Sequence, residues 1–213
     1  MSSRVLPRAH LLLGMLLGPA IVHAQDWLAN PLTSQNPEPG RMNIQDKWNN
    51  FVSETLSPLT LGAGVFNGAE AHVTNTDPKY GRDLPAFGEQ VGASIGDIVS
   101  QNFFADFMLA SAFHEDPRYF RRGEQWPFWS RVRYAIGHAV ITRTDSGGNT
   151  FNWSNVIGNS MSASLSNAYY PPESRNPAAT FSHIGVGILG TGLVDLAPEF
   201  WPDFRRKVFG RRH

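Results

Sequence analysis

Apolar residues recur at helical spacing along most of the chain. Trp48, Phe51, Val52 and Leu56 return at three- and four-residue steps until Pro58, which predicts a first helix that stops there. A second is predicted from Leu59 to about Val73, built almost wholly of small residues: Gly62, Ala63, Gly64, Gly68, Ala69 and Ala71. The longest runs from about Pro85 to Phe113. Its apolar stripe is Phe87, Val91, Ile95, Ile98, Val99, Phe103 and Phe107, with Gln90, Asp97, Gln101 and Asp106 largely off it. It closes at Asp116-Pro117, where proline disfavours continuation. Three more helices are predicted over about 128–142, 154–170 and 177–197. The breaks between them are Asp145-Ser146-Gly147-Gly148-Asn149 and Tyr170-Pro171-Pro172-Glu173. No alternating pattern of useful length marks a strand. The expected fold is all-α, a compact bundle of about five or six helices.

Several of these helices carry small residues on a repeat of four. Ser154, Gly158, Ser162 and Ser166 form one such line, Gly64 and Gly68 another, and Gly185, Gly187, Gly190 and Gly192 crowd the last helix. Small faces let helix backbones approach closely, within one molecule, between copies in a homo-oligomer, or in lipid. Each glycine costs about 1 kcal/mol of helix propensity relative to alanine, so tertiary contacts must hold these helices. Charged and amide residues interrupt each helix, which favours a compact bundle over packing in lipid.

The N-terminus reads differently. Arg4 and Arg8 precede a short apolar run from Leu11 to Val22, and Ile21-Val22-His23-Ala24 ends in small residues. This is the pattern of a signal peptide over 1–24, and the run is too short to span a bilayer comfortably. The Pro- and Asn-rich stretch 25–41 predicts an extended arm. The helical domain is expected over 42–204, with a basic tail at 205–213. Export to the periplasm or cell envelope follows.

Composition narrows the functional classes. With 213 residues the chain is long enough for one real core. It has no cysteine, which removes disulfides, thiolate metal sites and a cysteine nucleophile. A formal net charge of +0 gives no reason to expect nucleic acid as partner, and nothing in the sequence implies a metal or a cofactor. The charge is unevenly laid out, however. Twelve acidic and four basic residues lie between Asp26 and Asp116, against six acidic and twelve basic from Pro117 onward.

The basic half interleaves cations with aromatic residues. Trp126, Trp129, Arg131 and Arg133 form one group, and Trp201, Arg205, Arg206 and Lys207 another. Tryptophan beside arginine suits an anionic membrane surface, the ring at headgroup depth and the cation on phosphate. Another envelope protein is the alternative partner, and pairing with the acidic half is the plain structural alternative.

Candidates for chemistry are sparse. His114, Glu115, His138 and His183 are the ionisable residues that would serve an envelope hydrolase, provided the fold brings two of them together. His114-Glu115-Asp116 lacks a second motif to complete a metal site. Asp145-Ser146-Gly147-Gly148 matches the core of a serine-protease nucleophile string, with His72 as a loose partner. In a helical context it reads as a polar turn. A Gly-lined bundle could alternatively carry a lipid or other apolar ligand.

The strings Glu115-Asp116-Pro117-Arg118-Tyr119-Phe120, Thr142-Arg143-Thr144-Asp145-Ser146-Gly147-Gly148 and Glu199-Phe200-Trp201-Pro202-Asp203, in that order behind a leader, resemble those of a group of uncharacterised exported bacterial α-helical proteins. The resemblance implies a bacterial envelope origin and no mechanism or site. The expectation is therefore an exported envelope protein, non-enzymatic and associated with a membrane surface or envelope partner.

Overall fold

A computed structural model describes residues 41–209. The leader, the arm up to residue 40 and the last four residues lie outside the described part. Helices α1 (Ile44–Thr55) and α2 (Pro58–Thr74) are followed by α3 (Leu84–Asn102). The last continues without a break through a π-helical stretch, Phe103–Leu109, into α4 (Ala110–Phe113). Then come strand β1 (Glu115–Asp116), α5 (Phe128–Gly137), β2 (Ile141–Thr144), β3 (Asn149–Phe151), α6 (Trp153–Ser166), α7 (Pro177–Val194) and α8 (Leu196–Phe209). The fold is an all-α bundle of about six helical rods, as the apolar spacing predicts.

Local sequence sets most of the starts. Asn43 and Asp46 form a reciprocal capping box at α1, each side chain accepting from the other's backbone N–H at 2.9 Å. Ser57, Asp83 and Asn176 cap α2, α3 and α7, each with a proline in the first turn, where its missing N–H costs nothing.

Three expectations need correction. The helix expected over about 128–142 ends at Gly137, and Ile141 begins a strand. A small antiparallel sheet, ordered β1-β2-β3, pairs Glu115 with Thr144, Asp116 with Arg143, and Ile141 with Phe151. Strands of two to four residues are too short to show alternation in a sequence. The third concerns Arg205–Phe209, expected as tail, which is the end of α8.

The rods pack side by side in alternating direction. α1 and α2 together run antiparallel to the long α3–α4 rod, with Asn102 donating to Thr55 at their middle. Added side chains at Gly64 and Gly68 would come within 2.7 Å of Ile95 and 2.6 Å of Val91, so the small face of α2 is what permits the crossing. On the other side, Gly158 of α6 sits against the backbone of Ala105, where a Cβ would have only 2.7 Å. Ser162 and Ser100 share a 2.6 Å hydrogen bond along the same seam. The next seam, α6 to α7, is held by Asn155 to Thr191 at 2.9 Å and Asn167 to Thr180 at 3.2 Å. Gly192 of α7 meets the end of α5 at Ile136.

The interior this creates is small and polar. Its buried apolar residues are nine alanines of the helical rods and their ends, with Met42, Phe51, Tyr119 and Tyr170. The largest fully buried side chains are Lys47, Gln90, Glu115 and Glu199. None of the leucines, isoleucines or valines among the described residues is buried. Seventeen of the twenty-eight are exposed, Val186 at 68% and Leu189 at 58% among them, and the other eleven are half-buried. That inverts the usual arrangement of a soluble domain.

Candidate functional site

At one end of the bundle the two polar strings meet. β1 follows α4, and pairing with β2 lays the first string against the second. The turn Thr144–Gly148 is closed by Gly147 N–H donating to the Thr144 carbonyl at 2.8 Å and by Thr144 N–H donating to Gly148 at 2.7 Å. Gly147 takes φ +90°, a conformation that glycine adopts without steric cost. Asp145 N–H donates to the His114 carbonyl at 2.8 Å, which turns the Asp145 carboxylate inward over the end of α4.

Lys47 comes across from α1 to meet it. Its Nζ donates to Asp145 Oδ2 at 2.8 Å and to the Ala110 carbonyl at 2.9 Å, so the ammonium also faces a helix C-terminus, where positive charge is favoured. Two adjoining clefts open around this pair. One, ≈ 470 Å³, is lined by Arg41, Asp116, Phe120, Arg143 and the 144–147 turn. The other, ≈ 600 Å³, shares Arg41 and Asp145 and adds Ile44, Ser111 and His114. Arg118 neutralises Asp116 through two bonds, Nε to Oδ1 at 2.9 Å and Nη2 to Oδ2 at 2.7 Å. Arg143 lies 4.3 Å from the Phe120 ring centroid. Neither Arg143 nor Arg41 has a carboxylate partner among the described residues.

The four acid–base candidates are dispersed. His114 caps α4 in a left-handed conformation and faces solvent, 3.9 Å from Asp145. Glu115 is buried, and its two oxygens accept from the backbone N–H groups of Trp153 and Ser154 at 3.2 and 2.9 Å. It thus completes the open N-terminus of α6, a structural use of a carboxylate. His138 is buried against Asp195 at 2.7 Å, with Thr142 Oγ1 3.3 Å from its other ring nitrogen. His183 packs on the Tyr170 ring at the opposite end of α7. No hydrogen bond joins any two of the four. The protease-like string also stays apart from its partner, since His72 bonds Gln90 at 2.7 Å while Ser146 bonds Thr144 at 2.9 Å.

The basic–aromatic set divides. Trp126, Trp129, Arg133, Arg206 and Lys207 are exposed, and Trp201 and Arg205 are half-buried. Arg206 is shared between Asp203 at 3.0 Å and Glu124 at 3.4 Å. Arg131 is a correction. It is buried, donates to Glu199 Oε1 and Asp203 Oδ2 at 2.6 Å each, and contacts no surface. Tyr119 donates to Glu199 at 2.7 Å, the N–H groups of Arg122 and Gly123 do so at 2.9 and 3.1 Å, and Arg121 pairs with Asp203. Burial alone would raise both carboxyls. The Arg131 bonds, with those from Tyr119 to Glu199 and from Arg121 to Asp203, hold them below their ordinary values. Burial, then the bond to Glu199, pushes the Tyr119 phenol well up.

No sequence signal marks Lys47, a lone cation in an amphipathic helix whose role depends on a residue 98 positions away. Comparison with protein-family models, curated proteins and solved structures finds no match, so nothing from a relative bears on these residues.

Proposed function

We propose that this is an exported protein seated in an envelope membrane, with its small-residue seams turned inward and its apolar helix faces against acyl chains. The observation that carries this reading is the pattern of burial: no leucine, isoleucine or valine described is fully buried, and most of them are exposed. In water, a bundle gains its stability by burying such side chains. In lipid there is no such drive, and helices associate through close small-residue crossings and interhelical hydrogen bonds. The Gly158–Ala105 contact and the Asn155–Thr191 and Ser100–Ser162 bonds are of that kind.

α7 is the most lipid-like element. Pro177–Val194 contains no Asp, Glu, Lys or Arg, and at about 1.5 Å per residue it is about 27 Å long, close to the hydrocarbon thickness of a bilayer. It belongs to a continuous helical run, Pro177–Val208, whose apolar window has a mean hydropathy of 1.3 and is only 11% buried. A core helix of a soluble protein would be mostly covered. Exposed Trp126, Trp129, Arg133, Arg206 and Lys207, on or beside α5 and α8, would then lie at headgroup depth.

Fractionation of cells expressing the tagged full-length protein tests this. The expected result is a protein that stays in the membrane pellet through high-salt and alkaline carbonate washes and is released by detergent. Release by salt would reduce the reading to surface attachment through the basic–aromatic groups. A wholly soluble protein would overturn it.

A further inference from the structure

We infer that the paired clefts at the Lys47–Asp145 end take a phosphoethanolamine headgroup, with the phosphate on Arg41 and Arg143 and the ammonium on the Asp145 carboxylate. The lipid source of that headgroup rests on the membrane reading above; the headgroup chemistry does not.

The first half follows from charge. Of the cations around the clefts, Lys47 is spent on Asp145 and Arg118 on Asp116. That leaves Arg41 and Arg143 in excess on the wall of one cleft, beside the hydroxyls of Thr144 and Ser146. Arg143 is held flat by the Phe120 ring, so its fork is presented without loss of much side-chain freedom. Two guanidiniums and the Ser146 hydroxyl, which Thr144 Oγ1 holds at 2.9 Å, suit a phosphate ester.

The second half follows from what is missing a partner. Asp145 is only 7% exposed, and while Oδ2 takes Lys47, Oδ1 is buried with no hydrogen-bond donor. Ser111 Oγ, which lines the second cleft, is buried and unpartnered as well. Buried polar atoms without partners are costly, about 1–3 kcal/mol each. A simple anion could accept from the Ser111 hydroxyl, but it would leave Asp145 Oδ1 without a donor and would meet the Asp145 charge. A ligand that adds an N–H donor to its phosphate satisfies both sides. Ile44, 67% exposed on the wall of the second cleft, offers an apolar exit for the acyl chains.

The test uses the full-length protein in mild detergent, following its unfolding temperature against added short-chain phosphatidylethanolamine, short-chain phosphatidylcholine, soluble O-phosphoethanolamine and inorganic phosphate. Phosphatidylcholine has the same phosphodiester but no N–H donor. We expect the ethanolamine lipid to stabilise at about tenfold lower concentration than the choline lipid. Arg41→Gln and Arg143→Gln should each weaken its effect about tenfold, one charge-assisted contact apiece, while Arg82→Gln, exposed before the start of α3, leaves it unchanged. Equal stabilisation by both lipids, or by phosphate alone, overturns the ammonium assignment. Indifference to both cleft arginines overturns the site. Stabilisation by soluble O-phosphoethanolamine in a protein that fractionates as soluble would support the headgroup site and refute the membrane reading alone.

Discussion

Lys47 Nζ donates to Asp145 Oδ2 at 2.8 Å, and the two side chains are 2% and 7% exposed. This buried pair ties α1 to the hairpin and, through the Ala110 carbonyl, to the end of the longest rod. It joins a cation of the acidic half of the chain to a carboxylate of the basic half.

Breaking that pair from one side should be severe. Lys47→Met leaves a buried carboxylate without its cation, and we expect a loss of about 3–5 kcal/mol in denaturant unfolding. Lys47→Met combined with Asp145→Asn removes both charges and should recover a large part of it. A double variant as unstable as the single one would show that the charge pairing is not what matters.

Acid should loosen the Arg131 network. Glu199 and Asp203 are held below their ordinary values, so the stability they contribute is present in full above about pH 4.5. It is lost as the pH falls through their lowered native values. Melting temperature should therefore drop below about pH 4, and Glu199→Gln should melt lower at neutral pH with a flatter acid limb. An unchanged acid limb in the variant would assign the pH sensitivity elsewhere.

Glycines in the seams and glycines on the open faces should behave oppositely. Gly158→Ala places a Cβ 2.7 Å from the Ala105 backbone and should cost about 1–3 kcal/mol by overpacking. Gly190→Ala meets nothing within 4 Å and should be neutral or stabilising by up to about 1 kcal/mol. Thermal unfolding of the two variants side by side checks this, and equal effects would contradict the packing described.

Charge on the bare face of α7 should expel it from lipid. Val186→Asp with Leu189→Asp places two carboxylates on the exposed side, at about 2.5–3.5 kcal/mol each in a bilayer centre. The double variant should lose its resistance to carbonate extraction. Retained resistance would mean that α7 does not face acyl chains.

Much of the scaffold is legible in the order of residues. The stop of the first helix before Pro58, the break at Tyr170–Glu173 and the four-residue line from Ser154 to Ser166 each act within a few positions of themselves. The site is far less so. His114, Glu115, His138 and His183 are read as chemistry because of their types. Glu115 completes a helix N-terminus, His138 pairs with Asp195, and His183 stands at the far end of α7. Arg131 reads as surface because it sits among tryptophans, yet its partners are Glu199 and Asp203, 68 and 72 positions further on.

By itself, then, the sequence determined the helices and the small faces along which they cross, since those depend on contacts a turn apart. It could not determine which side of each helix faces inward. A glycine stripe and an apolar stripe on opposite faces are both candidates for burial, and hydrophobicity alone selects the apolar one. Only the tertiary structure decided for the small stripes, because backbones that approach to the distance of Gly158 and Ala105 fill the fully buried positions mainly with alanine, serine and bonded polar groups and leave the leucines, isoleucines and valines half-buried or exposed.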